Sequence, residues 1–262
     1  MTTGVIRFER SGDIVHLTID QPARRNAMTL AMWRSLASHC AGLAREPDAR
    51  AVVLKGAGNA AFCAGADISE FGNLRLDDAA VAAYDVAVAE ATDSLARLPM
   101  PTVALVQGVC FGGGFALAMA CDLRLADDKA RFRIPAGRLG LGYPFESLRK
   151  LVACFGPGPV ADLFFTARIV NADEARLQGM VQSVWSTDDF AAQAASRIAA
   201  IADNAPLTLR AVKTALCELA KPGAEQNAAA VETAIAACFN SADYREGQQA
   251  FMEKRQPRFR GR

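Results

Sequence analysis

Two glycine-containing stretches hold the residues whose types and spacing could do chemistry. The first runs Ala61-Phe62-Cys63-Ala64-Gly65-Ala66-Asp67-Ile68; the second runs Gln107-Gly108-Val109-Cys110-Phe111-Gly112-Gly113-Gly114. Glycine permits positive φ and close backbone approach, so each turn can aim N–H groups at one bound oxygen. The second turn leads into the helix-like Phe115-Ala116-Leu117-Ala118. Its N–H groups therefore also sit at a helix N-terminus, where unsatisfied donors and the dipole favour negative charge. Two such donors meeting at one carbonyl oxygen would form an oxyanion hole, a site in which a single donor contributes about 3–4 kcal/mol to the transition state. The same spacing also fits two tight structural turns in a packed α/β protein.

Neighbouring residues narrow the chemistry. The triple glycine is not a Walker loop, since no Gly-Lys-Ser/Thr follows, and Gly140-Leu141-Gly142 lacks the rest of a dinucleotide fingerprint. Only two histidines exist, His16 and His39. That argues against a His-rich metal site and against a Ser-His-Asp hydrolase. His16 lies in the alternating run Ile14 to Ile19 and reads as a strand residue with ordinary hydrogen bonds. Asp67 suits the ordering of its own loop. Cys63 and Cys110 read as buried filler, because nothing nearby activates a thiolate. Tyr143 and Glu146 follow Gly140 and could act on a carbon skeleton; equally, Tyr143 suits a pocket wall and Glu146 a helix N-terminus.

These turns need elements to hold them. Val5 to Phe8 and Ile14 to Asp20 alternate around Ser11-Gly12-Asp13, a hairpin signal. Asn26 predicts the N-cap of a helix from Ala27 to about Ala44. Further strands are expected at Ala51 to Lys55, Thr102 to Gln107, Asp122 to Ala126 and Arg131 to Ile134. Helices are expected at Asp77 to Leu98, through Ala120 after the glycines, and over nearly everything from Glu146 onward. Asn171 with Glu174 has capping-box spacing. The pattern is an α/β body with a helical C-terminal part.

The chain has 262 residues, 52% hydrophobic and 22% charged, with a formal net charge of +1. Such a balance offers no general attraction to nucleic acid or anionic membrane. No apolar run reaches the roughly 18 residues of a membrane span, and no export signal is visible. Seven cysteines without CxxC spacing fit a reducing compartment, so cytoplasm is expected. The basic run Lys254, Arg255, Arg258, Arg260 and Arg262 reads as a solvated tail.

Together these motifs resemble the crotonase (enoyl-CoA hydratase/isomerase) superfamily over nearly the whole chain. The resemblance is carried by Gln21-Pro22 with Asn26-Ala27, the two glycine turns, Asp122, Phe132, Pro135 and Leu139-Gly140. Thr166, Ala172, Glu174-Ala175 and Gly179 continue it, and Glu246-Gly247, Ala250-Phe251 and Glu253-Lys254-Arg255 close it. The resemblance implies a β-β-α spiral core over residues 1–203 and a C-terminal helical region over residues 204–262 that builds a homotrimer or hexamer and closes over coenzyme A. It implies that the Ala66 and Gly113 amides hold the oxygen of an acyl-CoA thioester. It also implies that the backbone of Ala64, Ala66 and Ile68 lies near the adenine, and that Arg24 or Arg25, Phe251 and Lys254 meet the CoA phosphates or rim. For Phe251, a place in the helix core is the competing reading. No separate cofactor or metal is expected, since coenzyme A arrives as part of the substrate.

The chain departs from the family's hydratase pattern. The glutamate two places after the glycine triplet is Ala116, and the one after the proline is Ala136. A methyl group can neither accept a proton nor hold a water. Isomerisation with Glu146 as the single base is then expected over hydration. Decarboxylation of a malonyl-type thioester, helped by Tyr143, and non-catalytic acyl-CoA binding are the alternatives. Membrane and nucleic-acid partners are not expected.

Overall fold

The computed structural model describes residues 4–46, 48–70 and 78–262. An antiparallel hairpin, β1 (Val5–Ser11) and β2 (Ile14–Asp20), opens the chain. Along β2, Val15, Leu17 and Ile19 turn inward while His16 and Thr18 turn to the other face, the period-2 alternation of a strand. Helix α1 (Leu30–Leu43) follows, then β3 (Ala51–Gly56), β4 (Ala61–Cys63) and α2 (Asp78–Ala96). The same unit recurs as β5 (Thr102–Val106), β6 (Val109–Phe111) and α3 (Gly113–Ala120). It recurs again as β7 (Leu123–Asp127), β8 (Arg131–Arg133) and the short α4 (Ala136–Leu139).

Each repeat feeds one strand to each of two sheets, so the chain winds as a spiral of β-β-α turns. The larger sheet runs β1-β2-β3-β5-β7-β10 and the smaller β4-β6-β8-β9. The β3–β5–β7 and β4–β6–β8 pairings are parallel. The expected spiral α/β core is therefore the observed one. Strands β4, β6, β9 (Val170–Asn171) and β10 (Ser183–Trp185) are two or three residues long, too short to show alternation. The expectation that nearly everything beyond Glu146 is helical misses β9 and β10, which return to the two sheets. Helices α5 (Phe145–Phe155) and α6 (Pro157–Thr166) precede β9, and α7 (Ala172–Leu177) lies between β9 and β10. Helices α8 (Thr187–Ala202), α9 (Pro206–Leu219), α10 (Ala228–Phe239) and α11 (Ala242–Glu253) complete the fold.

The main core joins Leu17, Met32, Trp33, Leu36, Phe62, Phe115 and Phe132, all essentially inaccessible. A smaller cluster lies on the opposite face of the large sheet, where Phe190, Ala194 and Ile198 of α8 cover Val53, Val103 and Leu125. Burying each such side chain contributes about 1.5–3 kcal/mol. Among the described residues no helix is long and apolar enough to cross a membrane.

Three local expectations change. Helix α1 starts at Leu30 and is capped by Thr29, whose hydroxyl accepts from Met32 N at 3.2 Å; Asn26 is left-handed and lies outside it. Among the described residues Nδ1 of His16 has no hydrogen-bond partner, and burial together with nearby Lys55 lowers its pKa. The basic C-terminal run keeps its five basic residues exposed, as expected, but its backbone is held as a strap and is not a free tail. The Arg262 carbonyl accepts from Ala242 N, and Asp243 accepts from the Arg260 and Gly261 amides at 2.7 Å each. Glu246 holds the Arg255 guanidinium and the Arg258 amide, with its pKa lowered to about 2 by those partners. The capping of α7 by Asn171, accepting from Glu174 N, is as expected.

Helix α9 is pinned to the core by a buried cation. Lys213 Nζ donates to Asp122 Oδ2 at 2.7 Å and to the Met100 carbonyl at 2.9 Å, while Asp122 also accepts from the Thr102 amide and hydroxyl. Removing one partner of such a pair leaves the other charge uncompensated. Asp122→Ala should lower stability by about 3 kcal/mol in urea unfolding, with Lys213→Met costing clearly less.

Candidate active site

The two glycine turns meet. Gly65 adopts φ +107, a conformation that L side chains rarely take, and a β-carbon on it would lie 3.5 Å from Gly113 N. A β-carbon on Gly114 would lie 2.3 Å from the Cys63 carbonyl oxygen, so only glycine lets α3 pack this closely onto β4. From Gly113, the same construction reaches Ala66 N at 3.7 Å.

The hydrogen bonds around the first turn explain the direction of its amide. Met28 forms a parallel bridge with Ala66, using Met28 N to Gly65 O at 2.8 Å and Asp67 N to Met28 O at 2.9 Å. That pattern leaves Ala66 N–H directed away from Met28. In the second turn, Gly112 N donates to Arg133 O and Ala116 N to Gly112 O, while Gly113 N is the first amide of α3. Neither Ala66 N nor Gly113 N has an acceptor among the described residues. Two unspent donors thus flank one narrow gap, the arrangement that can stabilise developing negative charge on an oxygen.

A polar network braces the first turn. Asp67, 5% exposed, accepts from the Ser69 amide and hydroxyl, from Gln21 Nε2 and from Arg24 at 3.4 Å. Burial alone would raise the Asp67 pKa; these donors outweigh it and hold the carboxyl below its usual range. The Arg25 carbonyl accepts from Ala64 N, and buried Asn26 donates to the Ala57 and Ala61 carbonyls. Arg24, Arg25 and Ala64 are therefore brought together beside Ala66. Ile68 begins a short 3-10 turn, Ile68–Glu70, directly after it. Cys63 and Cys110 are fully buried; burial pushes the Cys63 thiol up to about 12 and Cys110 well above its usual value, so both remain thiols.

On the other side of the glycine triplet, a β-carbon on Gly112 would touch Pro135 Cδ at 3.8 Å, which sets Ala136 beside the second turn. Ala136 is buried and Ala116 half-buried. Tyr143 packs edge-on against Phe164, ring centroids 4.7 Å apart, and burial raises its pKa. Its hydroxyl has no hydrogen-bond partner among the described residues. Glu146 stands in the first turn of α5 but faces solvent, 63% exposed, and binds Arg149 at 2.8 Å. The structure does not turn this expected base toward the two amides.

Phe251 is 86% exposed, which corrects its reading as helix core; it lines an apolar groove of about 720 Å³ between α9, α10 and α11. Lys254 ends α11 in a left-handed conformation. Among the described residues no hydrogen bond or ion pair joins either to the glycine turns. From the sequence, the floor of the acyl pocket is expected to come from residues between Phe71 and Val86 and from later helices; of these, residues 71–77 lie outside the described residues.

Residues 9–262 match the family model described as enoyl-CoA hydratase/isomerase. The chain belongs to this family. It is 30% identical to a short-chain-enoyl-CoA hydratase of Clostridium acetobutylicum, covering 95% of this chain and 94% of the relative. Among solved structures, an enoyl-CoA hydratase/carnithine racemase from Magnetospirillum magneticum superposes with TM-score 0.92 at 33% identity, covering 100% of this chain and 97% of that one. An enoyl-CoA hydratase from Bacillus anthracis gives TM-score 0.89 at 27% identity, over 98% and 99% of the two chains. The chain is thus a member of an enzyme family, with the crotonase fold.

Sequence spacing did not reveal the bracing of the turns. Gln21 and Arg24 reach Asp67 across more than forty residues, and Trp33 Nε1 donates to the Tyr84 hydroxyl at 2.9 Å across 51. The Asp67 network predicts a pH effect. Because its folded pKa is depressed, its stabilisation is present above the unfolded value near 4 and is lost as pH falls through the folded value. Asp67→Asn should cost about 2 kcal/mol at neutral pH, and the gap to wild type should narrow in thermal melts below about pH 4.

Proposed function

We propose that this chain binds an acyl-CoA thioester with its carbonyl oxygen between the Ala66 and Gly113 amides and works through the enolate so stabilised. The observation that carries the reading is the pair of unspent N–H groups on either side of one gap. Two donors of this kind lower the barrier to enolate formation by several kcal/mol. Arg24 and Arg25, beside Ala64 and Ala66, are suited to meet the CoA phosphates, and the backbone at Ala64 to Ile68 is suited to meet the adenine. Phe251 and Lys254 are the C-terminal contributors to the CoA rim. The apolar faces of α9 to α11, with Leu216, Leu219 and Phe239 exposed, support assembly as a homotrimer or hexamer.

The side chains around the gap favour some reactions over others. Alanine at 116 and 136 supplies no carboxylate to hold a nucleophilic water, which disfavours hydration. Glu146 held outward by Arg149 favours a reaction that needs no side-chain base. Decarboxylation of a malonyl-type thioester meets that condition. The bond from the α-carbon to the carboxylate breaks, its electron pair becomes the enolate, carbon dioxide leaves, and the α-carbon then takes a proton from solvent water. Tyr143, a phenol that is protonated at neutral pH and that burial keeps so by raising its pKa, is suited to donate a hydrogen bond in this chemistry. The second reading is double-bond isomerisation, with Glu146 moving a proton between the α and γ carbons after leaving Arg149. Its support is that Glu146 stands in the first turn of α5, three residues after Tyr143.

Incubation with malonyl-, methylmalonyl-, 2-enoyl- and 3-enoyl-CoA, followed by mass and by ultraviolet absorbance, separates these readings. Loss of carbon dioxide, slowed about tenfold or more by Tyr143→Phe and untouched by Glu146→Gln, is the expected outcome. Isomerisation that falls about 100-fold in Glu146→Gln establishes the second reading instead. Rapid gain of water would sink the argument from the two alanines. Tight binding without any product would leave a non-catalytic acyl-CoA binder.

A further inference from the structure

Between the two turns stands a buried side chain that the reaction itself does not use. Trp33 is wholly inaccessible, and its indole edge lies against Gly113: a β-carbon there would sit 3.0 Å from Cζ2 and 3.3 Å from Cη2. That same point is 3.7 Å from Ala66 N, so the indole borders the space separating the two amides. The ring cannot rotate freely, because Nε1 donates to the Tyr84 hydroxyl at 2.9 Å in a buried setting, and Tyr84 is itself only 5% exposed on α2. The main chain that carries Trp33 is anchored too. Its amide donates to Thr29 O at 3.1 Å in the first turn of α1, and Met28, five residues earlier, is bridged to Gly65 and Asp67.

We infer that Trp33, locked by Tyr84, is a positioning residue that sets the distance between the Ala66 and Gly113 amides. One short segment, Met28 to Trp33, touches both turns: its backbone fixes the first and its indole fixes the second. Oxyanion donors act only within a narrow distance range of the oxygen, and misplacement by about 1 Å can cost about 100-fold in rate. A rigid aromatic plate with one hydrogen bond is suited to hold such a tolerance, because neither its contact edge nor its orientation can relax independently. The hydrogen bond to α2 also couples this spacing to the helix that follows the first turn.

The inference rests on the reading of Ala66 and Gly113 as the donors to the thioester oxygen, and one experiment tests the two separately. Butanoyl-CoA isotopically labelled at its thioester carbonyl carbon is bound to the full chain, and the carbonyl stretch is followed by infrared difference spectroscopy. Wild type should move the stretch to lower frequency. Trp33→Phe, which withdraws the fused ring edge and the N–H, should retain about half or less of that movement while its affinity for free coenzyme A stays unchanged. Tyr84→Phe should lose a smaller part, and it decides the matter if Trp33→Phe does not fold, since it differs from wild type by a single oxygen. Folded variants that keep the full movement overturn the positioning role and leave the site intact. A wild-type protein that shows no movement overturns the site itself.

Discussion

The approach of one backbone turn to another is the constraint on which the rest of the structure depends. Gly65 and Ala66 must come within touching distance of Gly113 while the Ala66 and Gly113 amides stay unspent. Buried backbone donors are almost always paired, so leaving two of them open requires the surroundings to satisfy every neighbour. Met28 does this for Gly65 and Asp67, Arg25 for Ala64, Arg133 for Gly112, and α3 itself for the next turn of helix. The β-β-α winding makes the meeting possible, because β4 and β6 lie side by side and each delivers one turn at the same end of the small sheet.

On the proposed reading, that geometry separates polarising a thioester from completing a reaction. The amides are backbone groups and survive almost any side-chain change, provided the glycines remain. Acid and base groups are side chains, and those near the turns are not poised alike: methyl groups stand at 116 and 136, and the carboxylate at 146 is engaged by Arg149 at the surface. A scaffold of this kind can keep its binding chemistry while its proton chemistry is rewritten. Enzyme families that share one fold diverge in this way, with function residing in the site and not in the fold.

Stability and site are braced by different means. The core is apolar and continuous, whereas the turns are held by a polar set, Gln21, Arg24, Asn26, Asp67 and Ser69, none of which would act on substrate carbon. Charged hydrogen bonds in a buried setting are costly to leave half-made, and this gives the first turn a single conformation. The C-terminal strap works alike at a distance. Asp243 and Glu246 use their carboxylates on backbone amides and a guanidinium, fastening the C-terminal strap to α11.

The amino-acid sequence by itself determined the family, the alternating α/β plan and the two turns, because those depend on residue type at fixed spacing: glycine where φ is positive, alternation in strands of five residues or more, caps such as Asn171. It also placed alanine, and no carboxylate, at 116 and 136. Only the tertiary structure decided the short strands β4, β6, β9 and β10, whose two or three residues carry no period. The same holds for the true start of α1 and the fold-back of the basic tail. It likewise decided that Glu146 faces Arg149, that Phe251 is exposed, and that Trp33 and Tyr84 stand beside the second turn. Those outcomes rest on contacts between residues that are neighbours only after folding, and spacing along a chain holds no measure of them.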